Sequence, residues 1–141
     1  EDGIRDYKVT GVQTCALPIS MDWFQIFVDG LWIAAMALMS RASLRAYKRM
    51  LPTAKVPMQF DLKGAPTWRA APGFAVSFAP IVAFIIWLTL FYVGQTADEH
   101  SADKFIMQFV RLILAPGICV THIWHMGKAL KILEQEGQLR S

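Results

Sequence analysis

The stretch that decides the fold runs from Ala70 to Ala97, AAPGFAVSFAPIVAFIIWLTLFYVGQTA, and its 28 residues carry no formal charge. A helix needs about 20 apolar residues to cross the hydrocarbon core of a bilayer. A soluble core helix rarely has so long a run. The stretch therefore predicts a transmembrane helix over 73–93, with Pro80 as the place for a kink. Toward the N-terminus, residues 23–40 form a second apolar block, interrupted by Asp29. Its helical pattern continues through RASLRAYKRM (41–50), with Leu44 and Tyr47 on one side and Arg41, Arg45, Lys48 and Arg49 around them. That is a basic amphipathic stretch suited to headgroup level, and Pro52 ends it. Toward the C-terminus, the polar, acidic loop GQTADEHSADK (94–104) leads to a third apolar block over 105–126, with Arg111, the Pro116-Gly117 pair and two histidines inside it. The tail GKALKILEQEGQLRS (127–141) is polar enough to leave the bilayer as a short amphipathic helix.

The expected fold is all-α: one integral membrane domain over 21–141, with three transmembrane helices and a Pro/Gly-rich loop over 51–72 between the first two. The composition agrees, with 55% apolar and only 18% charged residues, fewer charges than a soluble domain of this size carries. Residues 1–20, EDGIRDYKVTGVQTCALPIS, do not share this design. Their tail VTGVQTCALPIS resembles the conceptual translation of sequencing-library adapter DNA, which implies a non-native leader before Met21. The alternative is a polar N-terminal extension. Leaving out the leader's three acids and two bases leaves 12 bases against 8 acids, a net charge of +4. Cys15 goes with it, and Cys119 alone forms no intrachain disulfide, so no oxidising compartment is implied. The stretch after Met21 lacks the basic region of a signal peptide.

Orientation follows from the bases. Seven of them, Arg41, Arg45, Lys48, Arg49, Lys55, Lys63 and Arg69, lie between the first two helices, and Lys128, Lys131 and Arg140 follow the third. Only Lys104 lies in the other loop. An excess of Lys and Arg marks the cytoplasmic side. The native N-terminus is thus expected outside, with the long loop and the C-terminus inside. The bilayer is the expected partner, because the basic loop is drawn to anionic headgroups. Nucleic-acid binding, the rival reading of these bases, is not expected.

Within the loop, Val56, Met58 and Phe60 alternate with Pro57, Gln59 and Asp61, a short extended segment by its period of two. Asp61–Gly64 reads as a turn, in which Gly64 permits a positive φ. Pro57 and Pro66 stiffen the loop, and Trp68 lies where an indole anchors at the interface. It reads as an aromatic cap over a helix bundle or as a recognition surface, and the two are compatible.

The pattern Leu51, Pro52, Val56, Pro57, Phe60, Gly64 and Trp68, set between two membrane helices, resembles the signature loop of a bacterial membrane family of unknown function. The same module forms the front of the SdpI-like immunity membrane proteins. The resemblance covers 23–93. It implies a bacterial inner-membrane protein with a toxin-immunity or membrane-stress-sensing role. The family often carries histidine before the aromatic residue, where this chain has Gln59. The alternative is an accessory subunit of a membrane transporter or membrane-embedded enzyme, with a protein partner or a second copy of itself.

The residues that could carry chemistry are few. No nucleophile motif and no phosphate-cradling loop occurs, so neither catalysis nor a cofactor is expected. His122 and His125 are neighbours on one helix and could share a metal. Zinc takes three or four ligands, however, and His100 lies on the opposite side, so no metal is assigned. Asp29 and Arg111 each lie six residues into their helices. Helices one and three run in the same direction, so both charges sit at the same depth, roughly 9 Å in. An intramembrane charge costs at least about 2.5 kcal/mol and usually finds a partner. An ion pair is therefore expected, in a polar stripe with Gln25, Gln108, Cys119 and His122. The alternative is that each charge snorkels to the headgroups.

Overall fold

The computed structural model describes residues 23–96 and 102–140. The expected leader and His100 lie outside the described residues. The chain runs α1 (Trp23–Arg49), β1 (Val56–Phe60), β2 (Pro66–Ala70), α2 (Pro72–Thr96) and α3 (Ala102–Gln135). The described residues are mostly helical, and their three helices are all long and apolar enough to cross a membrane. Phe74, Phe78, Ile81, Ile85, Leu88 and Tyr92 of α2 are all exposed. An apolar surface of that extent does not face water in a soluble monomer; it is a surface for lipid. The chain is a multi-pass membrane protein.

Helix length explains the rest of the architecture. α1, α2 and α3 have 27, 25 and 34 residues. At about 1.5 Å per residue they measure roughly 40, 38 and 51 Å, against about 30 Å of hydrocarbon. The C-terminal ends of α1 and α3 therefore project from the bilayer side by side. A core forms around them from Ala46, Met50, Val56, Val76, Met126, Ala129 and Leu133. A second core lies at membrane depth and includes Val28, Trp32, Ala35, Met39, Ala83, Ala115 and Cys119.

Two expectations need correction. The tail after Met126 is not a separate helix but the continuation of α3. Gly127 alone penalises the helix by about 1 kcal/mol, and burial of Met126, Ala129 and Leu133 in the projecting core outweighs it. The helix stops at Gly137, which has φ 67°. There Gln138 N–H donates to Leu133 O at 2.8 Å and Gly137 N–H to Glu134 O at 3.1 Å, the paired bonds of a Schellman cap.

The second correction concerns the loop over 51–72, which contains an antiparallel hairpin of β1 and β2, with Val56 opposite Ala70 and Phe60 opposite Pro66. The ladder slips twice between Pro57 and Phe60. In a two-stranded ribbon every strand is an edge, so Pro57 and Pro66 are tolerated. Gly64 closes the turn at φ 85°, and its N–H donates to Asp61 O at 2.9 Å. A lone hairpin is marginal in water; this one is held by docking. Val56 is fully buried and Pro57 nearly so.

The C-terminal segment straps the hairpin down. Leu51 N–H donates to Gln138 O at 3.0 Å, and Arg140 N–H to Arg49 O at 2.8 Å. Lys55 N–H donates to Gln138 Oε1 at 2.9 Å. Arg69 forms a two-pronged pair with Glu136, at 2.8 and 2.6 Å. The Arg69 guanidinium holds the Glu136 carboxyl below its ordinary range, against a smaller opposing effect of burial.

Candidate functional site

The seam between α1 and α3 carries the polar residues. On α1 the buried positions are Val28, Trp32, Ala35, Met39, Ser43 and Ala46. Those on α3 are Gln108, Arg111, Ala115, Cys119, His122, Met126, Ala129 and Leu133. Steps of three and four keep each set on one helix face. The helices run parallel without slipping: Trp32 meets Arg111 and Ser43 meets His122, each at an offset of 79 residues.

Arg111 is the centre of this seam, with 1% of its surface exposed. Its Nη2 donates to the Asp29 carboxylate across the helix pair. Nη1 donates to Gln108 Oε1 at 3.1 Å, one turn away on the same helix. The guanidinium carbon lies 5.9 Å from the centre of the Phe91 ring on α2, a favourable placing for a cation. The indole of Trp32, three residues after Asp29, donates to the Arg111 carbonyl at 3.0 Å. One face of α1 thus holds both the side chain and the backbone of the same residue. Arg111 Nε and Trp87 Nε1 are buried without an acceptor among the described residues. Cys119 is a free thiol buried between the helices. Gln25 is half-buried one turn before Asp29 and makes no hydrogen bond in this group among the described residues.

The two histidines serve different neighbours. His122 Nε2 and Ser43 Oγ are 2.9 Å apart in the α1–α3 seam. His125 turns to the hairpin. Its Nε2–H donates to Met58 O at 3.2 Å, because a carbonyl can only accept. Its ring lies 5.4 Å from that of Phe60. Among the described residues no group of three or more His, Cys, Asp or Glu gathers where a metal would sit.

The loop residues divide by role. Leu51 and Pro52 make a turn closed by Ala54 N–H to Leu51 O at 3.0 Å, with proline at the position turns favour. Phe60 lies against α3, under the Lys128 ammonium at 4.2 Å from its ring centre. Trp68 lies against the start of α2, edge-on to Phe74 at 6.2 Å. The hairpin thus spans the gap between α2 and α3, and beneath it is a cavity of about 710 Å³. Gln59, Trp68 and His125 line its hairpin end, and Phe78, Ile113 and Gly117 its deeper walls.

Sequence reading missed Trp32, Ser43, Glu136 and Gln138. Trp32 and Ser43 fall on the Asp29 face of α1, a signal that helical spacing carries. The role of Gln138 depends on the cap at Gly137, for which a glycine just past a helical pattern is the sign.

Comparison of the sequence with protein-family models, with curated proteins and with solved structures found no match.

Proposed function

We propose that this chain is a non-enzymatic protein of the bacterial cytoplasmic membrane that protects against or senses a membrane-active toxin, in the manner of the SdpI-like immunity proteins. Support comes from the way the loop residues work as one unit. Val56 and Pro57 are buried, Gly64 turns the hairpin, and Phe60 and Trp68 are placed against α3 and α2. The outcome is a braced aromatic edge at headgroup level. On this reading the native N-terminus is outside, and the basic hairpin and C-terminus are cytoplasmic. Lipid is the standing partner, and nucleic acid has no part.

The test is survival. Cells producing the chain are challenged with a panel of membrane-permeabilising peptides. Protection against at least one peptide is expected, and Phe60→Ala and Trp68→Ala should abolish it at unchanged membrane accumulation. Survival equal to empty-vector cells across the panel overturns the proposal.

A second reading, an accessory subunit of a transporter or membrane enzyme, is favoured by Asp29, which keeps 24% of its side chain exposed although it pairs with Arg111. A helix from a second copy or another protein would cover that carboxylate. Stoichiometric co-purification of such a protein from native membranes would favour this reading over the first.

A further inference from the structure

The cavity beneath the hairpin has the features of a lipid site, a reading that rests only on the chain's being a membrane protein. Its volume, about 710 Å³, falls within the roughly 300–1,000 Å³ of small-molecule sites. Along α3 its lining extends from Ile113 to Met126, 13 helical steps or roughly 20 Å. That length suits a hydrocarbon chain. Its walls are apolar at depth, and the exposed side chains of Ile113 and Phe78 leave it open to the lipid side. The polar groups gather toward one end, where Gln59 of the hairpin and His125 line the cavity and His122 lies one turn before His125 on α3. His125 spends its Nε2–H on Met58 O, so that donor ties α3 to the hairpin and is not free for a headgroup.

The charge at that end is positive. The Lys128 ammonium stands over Phe60, whose ring lies tilted against that of His125. It also lies 3.4 Å from where a Cβ on Gly64 would be, so the hairpin turn closes over it. Lys63 adjoins that turn. Lys128 does not line the trough but stands beside its hairpin end, and an apolar trough at membrane depth with a cation next to its headgroup-level end is complementary to an amphiphile with an anionic head.

We infer that the α2–α3 cavity holds one acyl chain of an anionic glycerophospholipid from the leaflet on the hairpin's side, with its phosphate held near Lys128.

Gly117 makes the inference testable. It lines the cavity, and a Cβ built there meets nothing within 4 Å. Gly117→Leu therefore starts its side chain in open space, extends it into the trough and improves helix propensity. Gly127→Leu, also in open space but away from the cavity, is the matched control. Thr121→Phe, from another position on the lining, is the second filling variant. The purified full chain is reconstituted in nanodiscs of equal phosphatidylcholine and phosphatidylglycerol. The lipid retained after gentle detergent release is then counted by native mass spectrometry. The wild-type chain and Gly127→Leu should each retain phosphatidylglycerol in preference to phosphatidylcholine. Gly117→Leu and Thr121→Phe should lose it while keeping wild-type circular dichroism. Lys128→Gln should keep a lipid but lower the preference about fivefold, the effect of one base at a membrane surface. Undiminished phosphatidylglycerol in a folded filling variant overturns the inference, as does a wild-type chain that retains no lipid or retains both kinds equally. A lipid result in either direction leaves the toxin-survival assay to stand or fall by itself.

Discussion

Arg111 is 1% exposed at membrane depth, where an unpaired charge would be unstable. Its stability comes from several neighbours acting together: the Asp29 carboxylate, the Gln108 amide, the Phe91 ring and, through its backbone, the Trp32 indole. Removing one partner of a buried pair typically costs about 3–5 kcal/mol, because the other charge is left uncompensated. Asp29→Arg and Arg111→Asp should each lower the amount of chain in the membrane fraction and its melting temperature in detergent. The double exchange should recover a substantial part of both. A double variant no better than either single one would show that the pair contributes nothing. The meeting of Asp29 and Arg111 was legible beforehand because each lies six residues after the start of its apolar block, at Trp23 and Phe105, although α3 itself begins three residues earlier, at Ala102. Trp32 was not, because a tryptophan in an apolar block reads equally well as a core or lipid-facing residue. Only the three-residue step from Asp29 hints at its shared duty.

At the scale of elements, one glycine inside α3 and one just past its end make opposite contributions. Gly127 is inside the helix with open space around it, so Gly127→Ala should stabilise the protein by about 1 kcal/mol. Gly137 has equal space but sits at φ 67°, where an L side chain is strained. Gly137→Ala should destabilise by about 1–2 kcal/mol and loosen the strap that Gln138 and Arg140 make with the end of α1. Melting curves of the two variants in the same detergent should move in opposite directions; shifts of the same sign would show that the cap is not what ends α3. The helices themselves were legible from their apolar length. The hairpin was half legible. Val56–Phe60 alternates and Asp61–Gly64 reads as a turn, but PTWRA over 66–70 has no clean period, and two slips in the ladder blur the pairing. The unbroken α3 was hidden by the polarity of 127–141, which reads as a separate short helix, whereas burial of Ala129 and Leu133 in the projecting core carries α3 on past Gly127.

At the scale of the whole molecule, the unequal helices organise everything outside the bilayer. α1 and α3 project together on one side and carry the hairpin, the strap and most of the bases, while the end of α2 emerges on the other. Three spans therefore require Leu62, at the fully exposed tip of the hairpin, and Arg140 to share one side. Gln95, at the end of α2, must lie opposite. The direct test is labelling of single cysteines at these three positions with a membrane-impermeant maleimide in intact cells, in a chain whose Cys15 and Cys119 are replaced. With the proposed orientation, Gln95→Cys labels from outside, while Leu62→Cys and Arg140→Cys label only after the cells are opened. Labelling of Leu62→Cys and Gln95→Cys from the same side would contradict the three-span bundle.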